Sequence, residues 1–536
     1  MTTAAGALNH APASASPFTG LAALIRFALR RDRTRLLVWI SMLTLMMVYA
    51  PNAIKLAYPG EAQRQARVNL LKTPAGIMLG GPMFGGHETD LGVMMANELM
   101  LTLIVATSIL AILTVIRHTR AEEENGSAEL VLSSVVGRHA RTAAAVIVMV
   151  AVNVVLAITM TAGMAASGFA LVDTAAMCVG ITAVAMVFGA LAAVTAQLWR
   201  QARTATGAAM AALAAAVLVR GAGDVIDNSG SVLSWFSPIA WAQQMRAFVA
   251  MRWWPLALLL VLAAALVGAA AVLESRRQYD DAVLASSGEH PGARPVGGVF
   301  GLQLVTHRGL TIGWAIALVV AGAAFGSMTR SLLDAARGNE LIARVLSAQG
   351  TDGVYTTMTQ FLAAATTAYV VTVIVDISRD EESGRGEAVL AGSVSRWAWL
   401  VSAVGAALVG ATVLLGCAGL GNGLGAGLTL NEPHTILRLS GAALAFLPAM
   451  AVVAAVAALG VAVRRPGLGW LAVTFVIGAL YLGALLRLPR WLIDASPVSR
   501  TTAPSSISVA ALAVMTVIAV GITMIAGWLY RRRDVV

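Results

Sequence analysis

Charge is scarce in this sequence. Asp, Glu, Lys and Arg together make 12% of 536 residues, against 58% hydrophobic ones, where a soluble domain carries about a quarter charged. That balance excludes an ordinary soluble globule and reads as an all-α polytopic membrane protein. Lysine is almost missing: of 37 basic residues only Lys55 and Lys72 are not Arg. Neither follows a glycine, which excludes a Gly-Lys-Ser/Thr phosphate cradle, so any ATPase serving this chain is a separate subunit. Cysteine is nearly absent. Cys178 and Cys417 sit in apolar runs in different halves, as small core residues and not a disulfide framework. The seven histidines are scattered through loops and tail with no His-Glu-x-x-His spacing, so neither a metalloprotease nor another metal site is supported. Acids avoid mid-span positions, with Glu98, Asp173, Asp224 and Asp376 at span ends, and the buried relay of a proton-driven carrier is therefore not evident. Nor does a signal peptide open the chain. Residues 1–16 are rich in Ala, Ser and Pro and read as a disordered tail.

What is present is a doubled polar stretch. Glu122–Arg138 reads E-E-E-N-G-S-A-E-L-V-L-S-S-V-V-G-R, and 258 residues later Asp380–Arg396 reads D-E-E-S-G-R-G-E-A-V-L-A-G-S-V-S-R. Eight of these seventeen positions are identical, among them Glu123/Glu381, Glu124/Glu382, Gly126/Gly384, Glu129/Glu387 and Arg138/Arg396. A repeat of this length marks a duplicated half. Each copy follows one apolar run and precedes another, so each is a short polar loop at a membrane surface.

Spans of about 20 apolar residues fall near Leu36–Ile54, Leu99–Ile116, Thr142–Ser167, Ala175–Leu198, Thr206–Val219 and Leu256–Leu273. A second set falls near Gly309–Met328, Tyr355–Ile377, Trp397–Leu420, Leu439–Val463, Leu468–Leu486 and Ser508–Tyr530. Arg33 and Trp39 are echoed by Arg308 and Trp314, and Ser237-Pro238 by Ser496-Pro497. The expected architecture is twelve helices in two six-span halves, residues 17–284 and 301–536, joined by a Gly/Pro-rich linker over 285–300. Before the first span, Phe18–Arg35 sets Leu21, Leu24, Ile25 and Leu29 at helical spacing beside Arg26, Arg30, Arg31, Arg33 and Arg35. It reads as an amphipathic helix in the membrane interface, its arginines on anionic lipid. Placing both termini and both acidic loops in the cytoplasm puts the larger share of Lys and Arg inside. Trp235, Trp241, Trp253 and Trp254 cluster beside Pro238 and Pro255 as an aromatic belt, or alternatively as ligand contacts. The run Gly419–Leu428, with a glycine at every second position from Gly419 to Gly427, lets its span bend or pack closely.

The acidic loops admit two readings. As caps, Glu122–Glu124 and Asp380–Glu382 favour the N-terminus of a short helix by about 0.3–1 kcal/mol each. Capping does not explain why Glu129 and Glu387 recur one turn inside with Val131, Leu132 and Val136. As docking points, two similar helices suit a partner with two like lobes. The pattern E-E-x-x-G-x-x-E-x-V-L-x-x-x-V-x-R after the second span resembles the coupling loop of ATP-binding-cassette drug-exporter permeases. With L-S-W-F-S-P-I-A-W and R-W-W-P-L between the fifth and sixth spans, the doubled form is similar to the fused twelve-span permeases of the actinobacterial tetronasin/polyketide-antibiotic exporter family. The second half departs from that pattern, since R-W-L-I-D-A-S-P-V-S-R lacks the R-W-W-P tract. The resemblance implies a permease of a bacterial plasma membrane that exports hydrophobic, drug-like molecules. It also implies two copies of a separate ATPase subunit holding ATP and Mg, docked on Glu122, Glu123, Glu124, Gly126, Glu129, Arg138, Asp380, Glu381, Glu382, Gly384, Glu387 and Arg396. No catalytic residue, cofactor or nucleic-acid partner of the chain's own is expected. A drug/proton antiporter and a non-transporting scaffold or immunity protein remain the alternatives.

Overall fold

Backbone amides in lipid have no water to turn to, so each spanning segment has to satisfy its own. The computed structural model describes residues 16–72, 74–82, 84, 89–126, 136–227, 230–276, 297–330, 333, 351–382, 384–482 and 489–532, and among these helix is the only regular structure. The chain divides into two units, Met1–His290 and Pro291–Val536. All of the expected tail but its last residue, most of the linker over 285–300, and Glu129 lie outside the described residues.

Unit 1 is built on α1 (Leu21–Ala57), α2 (Leu91–Arg117), α3 (Ala140–Ala166), α4 (Leu171–Leu198), α5 (Ala202–Ile226) and α6 (Trp254–Arg276). Helix α4 is apolar all round and is buried on nearly every side, as such a helix must be. It packs against α2, α3, α5 and α6, and α1 lies on α3, where Thr44 Oγ1 donates to Thr159 Oγ1 at 2.8 Å. Short helices Glu61–Leu71 and Pro74–Gly80 fill the connection between α1 and α2. Arg67 Nε fixes the first of them to Glu98 Oε1 at 2.7 Å. The arginine-rich Phe18–Arg35 segment is not a separate interfacial helix. From Leu21 it forms the first turns of α1, which runs 37 residues; no Gly or Pro interrupts it before Pro51, so nothing breaks the ladder at the junction.

Unit 2 holds α7 (Gly298–Ser327), α8 (Thr351–Glu382), α9 (Arg396–Leu430), α10 (Thr435–Leu444 continuing as Leu447–Ala462), α11 (Gly467–Leu482) and α12 (Val509–Arg532). Pro448 explains the interruption in α10, because it lacks an N–H and crowds the carbonyl of Leu444. Its helices pair as their counterparts do. The pairs α1·α3, α2·α4, α3·α4, α4·α6 and α2·α5 reappear as α7·α9, α8·α10, α9·α10, α10·α12 and α8·α11. Eleven helices among the described residues are long and apolar enough to cross a membrane. The remaining expected span appears as α11, whose 16 residues rise about 24 Å, short of the ~30 Å hydrocarbon core; residues 483–486, the end of the expected span, lie outside the described residues.

The glycine run lies inside the unbroken helix α9. Gly421 and Gly425 lie against α7, where an added Cβ would come within 2.2 Å of Val319 O and 2.1 Å of Ala323 O. Gly322 and Gly326 of α7 return the contact against Ala418 O and Asn422 O. On another face, Gly419 and Gly423 meet Leu439 and Ile436 of α10. Two four-residue glycine rows therefore bring both neighbours to backbone distance, the small-xxx-small mode of membrane helices.

Candidate functional site

The first acidic loop begins where α2 ends. Thr119 returns its hydroxyl to Val115 O at 2.7 Å, and one further helical stretch, Arg120–Glu124, carries the three glutamates. All three turn toward the unit's own groups. Glu122 accepts from Arg31 at 2.8 Å. Glu123 is held by Arg120 and, at 2.7 Å, by Arg141, with its side chain only 5% exposed. Glu124 Oε2 accepts the Ala202 N–H at 2.9 Å, capping the orphan amides that open α5. Arg138 donates to the carbonyls of Glu274 (3.0 Å) and Ser275 (2.5 Å), satisfying the end of α6. Beside it, Glu274 receives His139 at 2.7 Å and Thr142 at 2.6 Å. The backbone at Gly137 and His139 donates to Thr19 and Pro17, which ties the N-terminal turn to the same place. Glu122 and Glu123 thus brace the unit from inside, while Glu124 stays exposed. Arginines at 31, 120 and 141 surround them, and a buried guanidinium left unpaired costs more than an exposed carboxylate gains.

The second copy is arranged differently. Glu381 accepts from the buried Tyr530 hydroxyl of α12, and Asp380 is half-buried. Gly384 opens the helix Arg385–Leu390. Val389, Leu390 and Val394 pack on the unit 2 core, leaving Glu382 and Glu387 exposed. Arg396 is the first residue of α9, capped by Ser395 Oγ, which accepts from Ala398 N at 3.1 Å. One backbone feature is common to both loops. Gly126 and Gly384 have φ of +70° and +72°, the left-handed region that glycine enters without penalty.

A second doubled feature escaped the sequence reading. Asp32, buried on α1, lies 3.0 Å from His118 Nε2 at the end of α2. In unit 2, His307 Nε2 lies 3.2 Å from Asp376 Oδ2. Asp376 stands 258 residues after His118, and His307 stands 275 residues after Asp32, the offset that relates Arg33 to Arg308. The contact is therefore kept between equivalent helices while acid and imidazole have exchanged places. Arginines attend both carboxylates: Arg117 Nε is 3.0 Å and Arg35 3.6 Å from Asp32, and Arg379 is 3.0 Å from Asp376. Comparing polar residues at the repeat offsets would have found the pair.

Of the five N-terminal arginines, Arg31 and Arg35 are engaged by Glu122 and Asp32. Arg26, Arg30 and Arg33 are exposed. The tryptophan cluster is real but only partly outward. Trp235 stacks on Trp254 at 5.4 Å and Trp241 Nε1 donates to Trp235 O at 2.8 Å, while Trp253 and Trp254 are about half exposed. At this end of unit 1, remote from the acidic loop, Arg220 and Asp224 form a fully buried pair at 3.3 Å. Arg220 also donates to Ile77 O and Met78 O, and Ser234 Oγ to Asp224 at 2.7 Å. The pair pins the Pro74–Gly80 helix to α5. Its signal in the sequence is an Arg and an Asp four residues apart inside an apolar run.

Over 546 aligned residues the chain is 32% identical to the multidrug efflux system permease protein Rv1217c of Mycobacterium tuberculosis, covering 98% of this chain and 97% of that one. The chain belongs to this permease family. The C-terminal domain described for multidrug efflux system permease Rv1217c matches residues 296–531, which lie wholly within unit 2. A multi-pass membrane transport subunit, and not an enzyme, is the class in which these residues are placed.

Proposed function

We propose that the chain is the membrane-spanning subunit of an ATP-driven exporter of hydrophobic or amphipathic drugs, of the polyketide-antibiotic exporter kind. Two copies of a separate ATP-binding-cassette ATPase, which hold the ATP and Mg, dock on its two acidic loops. The observation that carries this reading is the doubled loop in a chain aligned end to end with a multidrug efflux permease. Both termini and both loops then face the cytoplasm at the bacterial plasma membrane. Each loop continues a helix of its unit, α2 or α8, so movement of the motor is passed directly into the span. Exposed Glu382 and Glu387 meet the partner in unit 2, and Glu122–Glu124 keep the first loop in shape. Export is tested in cells with the proton gradient collapsed and, separately, with the partner ATPase inactivated. The reading requires loss only in the second case. The opposite outcome supports a drug/proton antiporter, the rival that the two buried His–carboxylate contacts favour. Topology is tested independently with Glu387→Cys, which an impermeant thiol reagent leaves unlabelled in intact cells if the loop is cytoplasmic.

A further inference from the structure

At the end of unit 1 remote from the acidic loop, a cleft opens between α2, the Gly80–Pro82 turn and the segment that follows Gln243. Its interior volume is about 30 Å³, where a single water needs about 10–15 Å³. That is room for a small charged head such as a carboxylate and not for a whole drug. Most of the wall is apolar, including Phe84, Val93 and Met100. Three polar groups converge on it: Asn97, Gln243 and Arg246.

Two of the three carry a polar atom that is not satisfied as the interior of a protein normally demands, and the third lacks a counter-charge among the described residues. Asn97 and Gln243 are each only 7% exposed, yet Asn97 Nδ2 and Gln243 Oε1 have no hydrogen-bond partner among the described residues. An orphaned buried polar atom costs about 1–3 kcal/mol, and native proteins keep very few without a reason. Arg246 lies 4.3 Å over the Phe84 ring and touches Gln244 Oε1 at 3.2 Å, with no carboxylate partner among the described residues. Burial, and then the neighbouring Arg252, pull its guanidinium below the usual arginine range. An approaching anion would relieve both effects. The backbone is strained at the same place. Arg246 and Phe248 have φ of +51° and +67°, and Phe248 N is held by Asp173 Oδ1 at 3.0 Å. Non-glycine residues in the left-handed region gather at ligand clamps.

We propose that this cleft is a head-group site for an anionic amphiphile. Asn97 and Arg246 hold its charged oxygen, and Gln243 Oε1 receives a hydroxyl or amide hydrogen beside it. An exported carboxylic acid and a phospholipid head share this chemistry. Only the first source rests on the export reading, and the test is a binding measurement, so a chain that exports nothing can pass it and a working exporter can fail it.

The full chain in phosphatidylcholine nanodiscs is titrated with dansyl-undecanoic acid and with its methyl ester. The acid binds and the ester binds at least about tenfold more weakly, the loss expected for one charge-assisted contact. Asn97→Leu and Arg246→Gln, each checked for an unchanged melting curve, weaken the acid by about tenfold or more and leave the ester where it was. Displacement of the acid by added phosphatidylglycerol assigns the site to lipid, and failure to displace assigns it to an exported acid. Equal binding of acid and ester by the unmodified chain overturns the proposal without recourse to any variant. Wild-type affinity in folded variants overturns it as well.

Discussion

Replacing Glu123 by Gln removes one proton-free oxygen and almost no volume, yet it should be among the more damaging single changes in unit 1. The carboxylate is 5% exposed and lies against Arg120, itself 1% exposed, and Arg141 at 11%. Both arginines are also held by carbonyl oxygens. Arg120 Nε already donates to Arg200 O at 2.6 Å, and Arg141 reaches Thr119 O at 3.3 Å. Gln offers one neutral oxygen to two cations held together, so both guanidiniums lose the negative charge they share at this position. Removing one partner of such a buried group costs about 3–5 kcal/mol, far above the ~0.3–1 kcal/mol of a helix-terminal charge. Thermal unfolding of purified Glu123→Gln in detergent should show a clearly lowered midpoint. Adding Arg141→Gln should recover part of it, because one unpaired cation leaves with its partner, and the double-mutant cycle should give a coupling of about 0.5–3 kcal/mol. A Glu123→Gln midpoint equal to wild type, or strict additivity in the cycle, refutes the brace. Glu387→Gln is the control: that residue is exposed, so stability should change by less than about 0.5 kcal/mol while ATPase docking in a pull-down weakens.

The remaining expectations are simpler. Gly384→Ala, whose Cβ would meet nothing within 4 Å but whose φ is +72°, should cost about 1–2 kcal/mol from conformation alone, and Gly384→Asn less, as read from melting midpoints. Gly425→Val places its branch where a Cβ alone would already be 2.1 Å from Ala323 O; it should abolish the yield of folded protein on size exclusion, whereas Gly441→Ala, with open space around it, should not. His307→Asp and Asp376→His should each lower the melting midpoint, and the two together should regain part of the loss, since the exchanged order is the one unit 1 already uses.

Much of this was legible in the sequence, for identifiable reasons. Long apolar runs can only be helices in lipid, and the doubled loop gave the duplication through Gly126 and Gly384, which share one backbone conformation because only glycine enters it freely. Direction was harder to read. The sequence puts Glu122 and Glu123 in a polar loop, and polar loops are normally solvated, but the arginines that turn them inward lie on three different stretches: Arg120 beside Glu123, Arg141 on α3, and Arg31 on α1 against Glu122. Nothing local reports such a convergence. The same holds for Arg220 and Asp224, whose spacing was visible but whose partners, Met78 and Ser234, come from two other segments. The junction of Phe18–Arg35 with the first span was misread because amphipathicity says which face is wet and not where a helix ends.

The glycine rows of α9 have a mechanical consequence. Helices locked by large side chains resist sliding, since each knob has to climb out of its hole. On α9 two neighbouring tracks present glycine instead, Gly421 and Gly425 beneath α7 and Gly419 and Gly423 beneath Thr435–Leu444, so few side chains stand in the way along them. Unit 1 has no such bearing: α1 contains no glycine at all, and the single one on α3, Gly163, faces Val48. Of two halves with the same helix pairing, the second therefore makes its first contact through glycine and the first through side chains.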